Sequence, residues 1–228
     1  VIPVLEYHLI GEPEARWTRT PANFRNDVDR LIAAGYYPVN LIDLAEGFID
    51  VPRGKSPVVL TFDDSSIGQC RYLSDGTPDP DSACGILLEA SGRHPDDWRT
   101  RATFFVLLDV DVPSRILFGQ PEWVDRKLGD LVGWGMEIGS HTISHYALNQ
   151  DNPDQIAKQL AVPEQTIEGI VPGYEVRSLS PPFGVYPDDD GVLRSGSWGS
   201  ASYDYDAAVH VAGGPSPSPF DPDFDPLH

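Results

Sequence analysis

An α/β fold built on a parallel sheet is the architecture this sequence predicts, and three observations predict it. Short apolar, β-branched runs alternate with helical patterns along most of the chain. Two of those runs, VVLTF and RATFFVLL, read as strands buried on both faces. Three strand-like segments end in TFDD, GSHTISH and SPPFG, and in such sheets active groups gather at the C-terminal strand ends.

The elements follow in order. VIPVLEYH is short, apolar and β-rich. Thr20 is a good N-cap and Pro21 suits the first helical position. Phe24, Val28, Leu31 and Ile32 then share one helical face, and Gly35 can close the helix in a left-handed cap. YYPVN reads as a strand and LIDLAEGFI as a short helix. VVLTF ends abruptly in two acids. Residues 65 to 100 are largely polar, with DSACGILLEASG as a short helix among them. RATFFVLL is the next strand. PEWVDRKLGDLVGWG is a helix packing Trp123, Leu128, Leu131 and Val132. MEIGSH is a strand, and NPDQIAKQLAVPEQTIEGI a helix expected to break near Pro163. VRSLSPPFG runs from a strand into a proline turn. Residues 213–228, rich in Pro and Asp, read as an extended or disordered tail rather than a second domain. The whole of 1–228 is therefore one domain, long enough to bury a core.

Composition narrows the partners. A formal charge of −19 with only three lysines disfavours nucleic acid and anionic membrane surfaces. It tolerates a neutral or cationic ligand. No apolar run reaches the length of about 20 residues that a membrane span needs. No basic-then-apolar leader opens the chain at Val1, and a start without Met is expected of a processed or trimmed chain. Cys70 and Cys84 could close a loop of about 15 residues or stay unpaired thiols; both readings stay open, and a bridge would favour export.

The chemistry gathers in the three strand ends. Two histidines four apart, His141 and His145, fall within about 6 Å of each other on a helical turn. Two neutral imidazoles suit a divalent transition metal, most simply zinc. A catalytic zinc usually takes a third protein ligand, and Asp63 and Asp64 are the candidates. One carboxylate would ligate while the other faces the water to be activated. Taken singly, HxxxH is more often a surface pair, and DD more often a turn or cap. Together, after buried strands, they point to a metal-assisted hydrolase.

TFDD, HTISH and PPFG, in that order, with VLEYH and ATFFV before and between them, resemble the polysaccharide deacetylases of the NodB-homology type, carbohydrate esterase family four. The similarity runs from Val4 to about Gly184. It implies a distorted (β/α) barrel. It implies Asp64, His141 and His145 as metal ligands, Asp63 as general base, and the turn at Pro182 and Phe183 as an oxyanion-binding backbone. Zinc is expected, and Co²⁺, Ni²⁺ or Mn²⁺ also suit that donor set. The substrate would be an N- or O-acetylated glycan, and the setting extracellular or at the cell envelope. Thr142 would hydrogen-bond within its loop and orient the second histidine.

There are departures. Ser180 stands where the family's motif carries arginine, and Arg177 is a candidate replacement that reads better as a surface charge. The general acid is unassigned among His8, His210 and His228. Trp17, Trp98 and Trp198 lie in loops and are weak candidates for sugar stacking. These gaps keep a second reading alive, a non-catalytic metal- and glycan-binding module, and a third, hydrolysis of a small amide.

Overall fold

The computed structural model describes residues 1–211 and 213–227. In chain order it contains strand β1 (Val4–Tyr7), the short parallel pair β2 (Leu9–Ile10) and β3 (Thr18–Arg19), helix α1 (Pro21–Ala33), β4 (Tyr36–Val39), α2 (Leu41–Ala45), β5 (Ser56–Phe62), α3 (Ala83–Arg93), β6 (Thr103–Val106), α4 (Val124–Gly133), β7 (Glu137–Ser140), α5 (Pro153–Ile170), β8 (Ser178–Leu179), α6 (Gly191–Arg194), the antiparallel pair β9 (Ser195–Trp198) and β10 (Ala201–Asp204), and β11 (Ala207–Ala208).

Seven strands form one parallel sheet in the order β1-β5-β6-β7-β8-β11, with β4 also paired to β5. Period-two alternation gives this sheet two faces. Val58, Leu60, Phe62, Phe104, Val106 and Ile138 pack outward beneath the helices. Phe62 and Phe104 stack 4.6 Å apart there, with Phe24 edge-on to Phe62 and Phe118 to Phe104. Losing one of these rings, as in Phe104→Ala, would cost about 3–5 kcal/mol. Val39, Val59, Phe105 and Ala207 form a second, inner core with Ile2, Leu41 and Leu44. β6 and β11 are separated by two strands, yet Phe105 and Ala207 share that core, so the sheet curls into a distorted α/β barrel. Gly139 leaves the room Phe105 needs, since a Cβ there would strike the ring.

The barrel's amino end is plugged by α2. Its first amides are taken by side chains of the lining: Leu41 N–H donates to Thr103 Oγ1 at 3.0 Å and Ile42 N–H to Glu137 Oε2 at 3.1 Å. The opposite end is left for function.

One expectation is corrected. α5 runs unbroken over 18 residues through Pro163. The proline forfeits one backbone bond, but Ile156, Leu160, Ala161 and Ile167 stay buried along the same helix and hold it. The described residues of the tail are tied to the body of the fold. Ile2 and Ser216 exchange backbone bonds of 2.8 and 2.9 Å, and Ala208 N–H donates to Pro226 O. Phe224 packs on the inner core, so this segment covers the seam beside β1 and β11.

Candidate metal centre at the carboxyl end of the barrel

The site is built from strand ends. β5 delivers Asp63 and Asp64, β7 delivers His141, β8 delivers Ser180, and β1 delivers His8. One ligand atom each from Asp64, His141 and His145 lies within 4.8 Å of the others. His141 Nε2 and His145 Nε2 are both 3.6 Å from Asp64 Oδ1. His141 Nδ1 is 2.7 Å from the Ser180 carbonyl, a contact that orients the ring with Nε2 toward Asp64.

The backbone here adopts conformations that L-residues usually avoid. Asp64, Thr142, His145 and Phe183 have φ of 74°, 68°, 55° and 63°. Such positions cost about 1–3 kcal/mol each and cluster at functional sites. The histidine loop is paid for by its neighbours: Gln159 of α5 accepts the Ile143 N–H at 2.8 Å and donates to Ser144 Oγ at 2.9 Å. Thr142 Oγ1 accepts the Tyr146 N–H at 3.0 Å, a bond within the loop that ends the turn carrying His145.

Electrostatics prepares the donors. Burial alone would raise the Asp64 carboxyl, but His141, then Arg115 and His145, outweigh it and hold it well below the usual carboxylate range. Burial, then repulsion from His141, lowers His145 to about 4, so its imidazole is neutral near neutral pH. Asp64 Oδ1 is buried and accepts no aligned hydrogen bond, although the Arg115 guanidinium presses on it as an ion pair. The contact is close but poorly aligned for a hydrogen bond. A carboxylate oxygen and two imidazole nitrogens, converging and without aligned donors, fit a divalent cation.

Asp63 stands beside this set. It is 2% exposed, and its Oδ2 accepts a 2.7 Å bond from Ser180 Oγ. Its Oδ1 has no hydrogen-bond partner. Thus Ser180, at the position where the resemblance expects arginine, reaches Asp63 as a neutral hydroxyl. Arg177 points elsewhere, pairing with Asp206 and Glu46. Pro182 is buried, and the exposed Phe183 ring packs edge-on to His145, 4.4 Å between centroids.

His8 lies at the same rim, packed against the half-exposed Trp17. His210 stacks on Tyr186 and lines, with Asp63 and Ser180, a cavity of about 630 Å³. His228 lies outside the described residues. Trp98 is fully buried in the outer core, and Trp198 packs beside Lys158 of α5. Three neighbours had no sequence signal: Arg115, Glu6 and Gln159. Each comes from a distant segment that only the fold brings near.

Residues 96–194 match the polysaccharide deacetylase family, a span that holds both histidines and Ser180. That match covers less than half of the chain. A chitooligosaccharide deacetylase from Bradyrhizobium sp. (strain ANU 289) is 27% identical over 136 residues, which is 60% of this chain and 50% of that protein. The chain thus spans about half the length of that relative. Among solved structures, a polysaccharide deacetylase from Bacillus cereus matches with a TM-score of 0.69 at 20% identity, over 99% of this chain and 62% of the other. The Streptococcus pyogenes deacetylase PplD in complex with acetate matches with a TM-score of 0.63 at 21% identity, over 84% and 78%. At these identities the two structures speak to the fold alone, a curled parallel barrel.

Proposed function

We propose that this chain hydrolyses acetyl groups from an N-acetylated or O-acetylated glycan. One observation carries the reading: a buried carboxylate, Asp63, with one oxygen oriented and the other free, beside the converging set Asp64, His141 and His145. When bound to that set, a divalent ion, zinc first and Co²⁺, Ni²⁺ or Mn²⁺ also by donor type, would supply Lewis acidity and a more acidic water.

The chain's own groups do the rest. Ser180 fixes Asp63 Oδ2, so Oδ1 faces the attacking water and takes its proton. The Phe183 N–H, set by the left-handed turn after Pro182, donates to the oxyanion. His8 is within 4.8 Å of the Asp63 carboxylate, and burial lowers its pKa. It relays the proton from Asp63 to the leaving amine or alcohol. Trp17, half exposed beside His8, offers a face for a sugar ring. An acidic surface does not oppose a neutral glycan or its cationic amine product. No helix among the described residues is long and apolar enough to cross a membrane.

The test is acetate release from a panel of acetylated glycans by the metal-loaded chain. Asp63→Asn should lower turnover by about 10²–10⁴ while Asp64, His141 and His145 still hold metal. No acetate from any substrate would remove the reading. The ion pair between Arg115 and Asp64 favours one alternative, a glycan-binding module with a weakened metal site. Glycan titration with no accompanying acetate would select it.

A further inference from the structure

The same rim holds a second set of donors. Glu6 lies within β1 and His8 just past its end, and Asp63 leaves the end of β5 beside it. Ligand atoms of these three lie within 4.8 Å of one another, and His8 Nε2 is 3.6 Å from Glu6 Oε1. Two carboxylates facing one another repel, and neither has a guanidinium or ammonium to itself here. Arg115 goes to Asp64 instead. Asp63 is 2% exposed, and its Oδ1 has no partner, a costly state for a carboxylate oxygen. Burial lowers His8, leaving a ring nitrogen with a free lone pair. One imidazole and two carboxylates are a donor set for a divalent transition metal.

We propose that Glu6, His8 and Asp63 form a second divalent-cation site, next to Asp64, His141 and His145, whose occupancy inhibits the enzyme. The inhibition is simple. A cation on Asp63 shares the lone pair that otherwise accepts the water's proton, and it holds His8 as well. Low metal then activates and excess metal shuts the reaction off. The inhibitory half rests on the deacetylase reading above; the binding half does not.

The experiment uses zinc itself on the full chain. Zinc bound per chain is measured by elemental analysis after equilibrium dialysis at rising free zinc, alongside acetate release at the same free zinc. Two equivalents are expected for the unaltered chain, and one each for Glu6→Gln and His8→Gln. Acetate release should rise with the first equivalent and fall at least tenfold with the second. Glu6→Gln should keep the peak rate and lose the fall. A single equivalent in the unaltered chain overturns the proposal, as does a second equivalent that persists in both variants. Inhibition that survives Glu6→Gln overturns its functional half. If no acetate appears at any zinc level, the deacetylase reading fails and the stoichiometry still decides the site.

Discussion

Arg115→Ala should tighten metal binding, because a positive side chain now rests on Asp64, the carboxylate of the proposed ligand set. Arg115 ends a short turn, residues 113–115. Its backbone is pinned: Ser65 Oγ donates to the Arg115 carbonyl at 2.6 Å and itself accepts the Leu107 N–H. The side chain is 27% exposed and that of Asp64 9%. Contacts between charged groups contribute about 1.5–3 kcal/mol when well formed. This one is misaligned and partly solvated, so the low end applies. A cation at Asp64 must displace about 1.5 kcal/mol of interaction, which corresponds to roughly tenfold in affinity. The variant should therefore bind zinc about tenfold more tightly in competition with a chromophoric chelator at fixed pH. The difference should shrink as salt is raised, because screening weakens the displaced pair. Arg115→Lys should fall between the two, since lysine keeps the charge and loses the fork. Equal or weaker binding by Arg115→Ala would refute the reasoning and make Arg115 a support for Asp64 instead of a competitor.

Two further outcomes follow from buried groups. The Cys70 and Cys84 sulfurs are 2.9 Å apart and fully buried, so refolding with glutathione disulfide should join them. The oxidised chain should be about 2 Da lighter than the reduced chain, and about 3 kcal/mol more stable than the Cys70→Ser, Cys84→Ser double variant. Two thiols still titratable in the denatured, oxidant-treated chain would refute the bridge. Burial raises the Glu164 carboxyl from 4.5 to about 7, against the Asp204 N–H that it accepts. The folded chain keeps a proton there that the unfolded chain releases, so stability falls as pH rises through that window. Glu164→Gln should match the parent in urea unfolding at pH 4 and exceed it by about 1–2 kcal/mol at pH 8, after allowing for partial exposure. A difference independent of pH would count against this.

What the sequence shows plainly is what local chemistry writes. The Thr20 side chain accepts the Asn23 N–H and Pro21 opens α1, as cap rules require. VVLTF lies in β5 with both faces covered, as its lack of alternation implies. Helix α5 passes through Pro163 because burial along its length outweighs one missing bond, and propensity alone does not see burial. For the tail, composition leaves an extended and a disordered reading open, and only the fold shows Ser216 paired with Ile2 at the opposite end of the chain. The hairpin of β9 and β10 and the short α6 lie where the polar, glycine-rich sequence carries no clear period.

The candidate site divides along the same line. Asp63, Asp64, His141 and His145 are legible because each pair is contiguous or one turn apart and follows a buried strand. Glu6 and Arg115 are not, since nothing near either names a partner. Ser180 is the instructive case. Read as a missing arginine, it looks like a loss of function; in the fold its hydroxyl reaches Asp63. What has changed is the distribution of charge. Asp63 has a neutral partner, and the nearby guanidinium rests on the neighbouring acid. An arrangement of that kind weakens the hold of Asp64 on a cation and leaves the charge of Asp63 uncompensated. Both the expected gain on removing Arg115 and the affinity of Glu6, His8 and Asp63 for an inhibitory ion follow from that one displacement of positive charge.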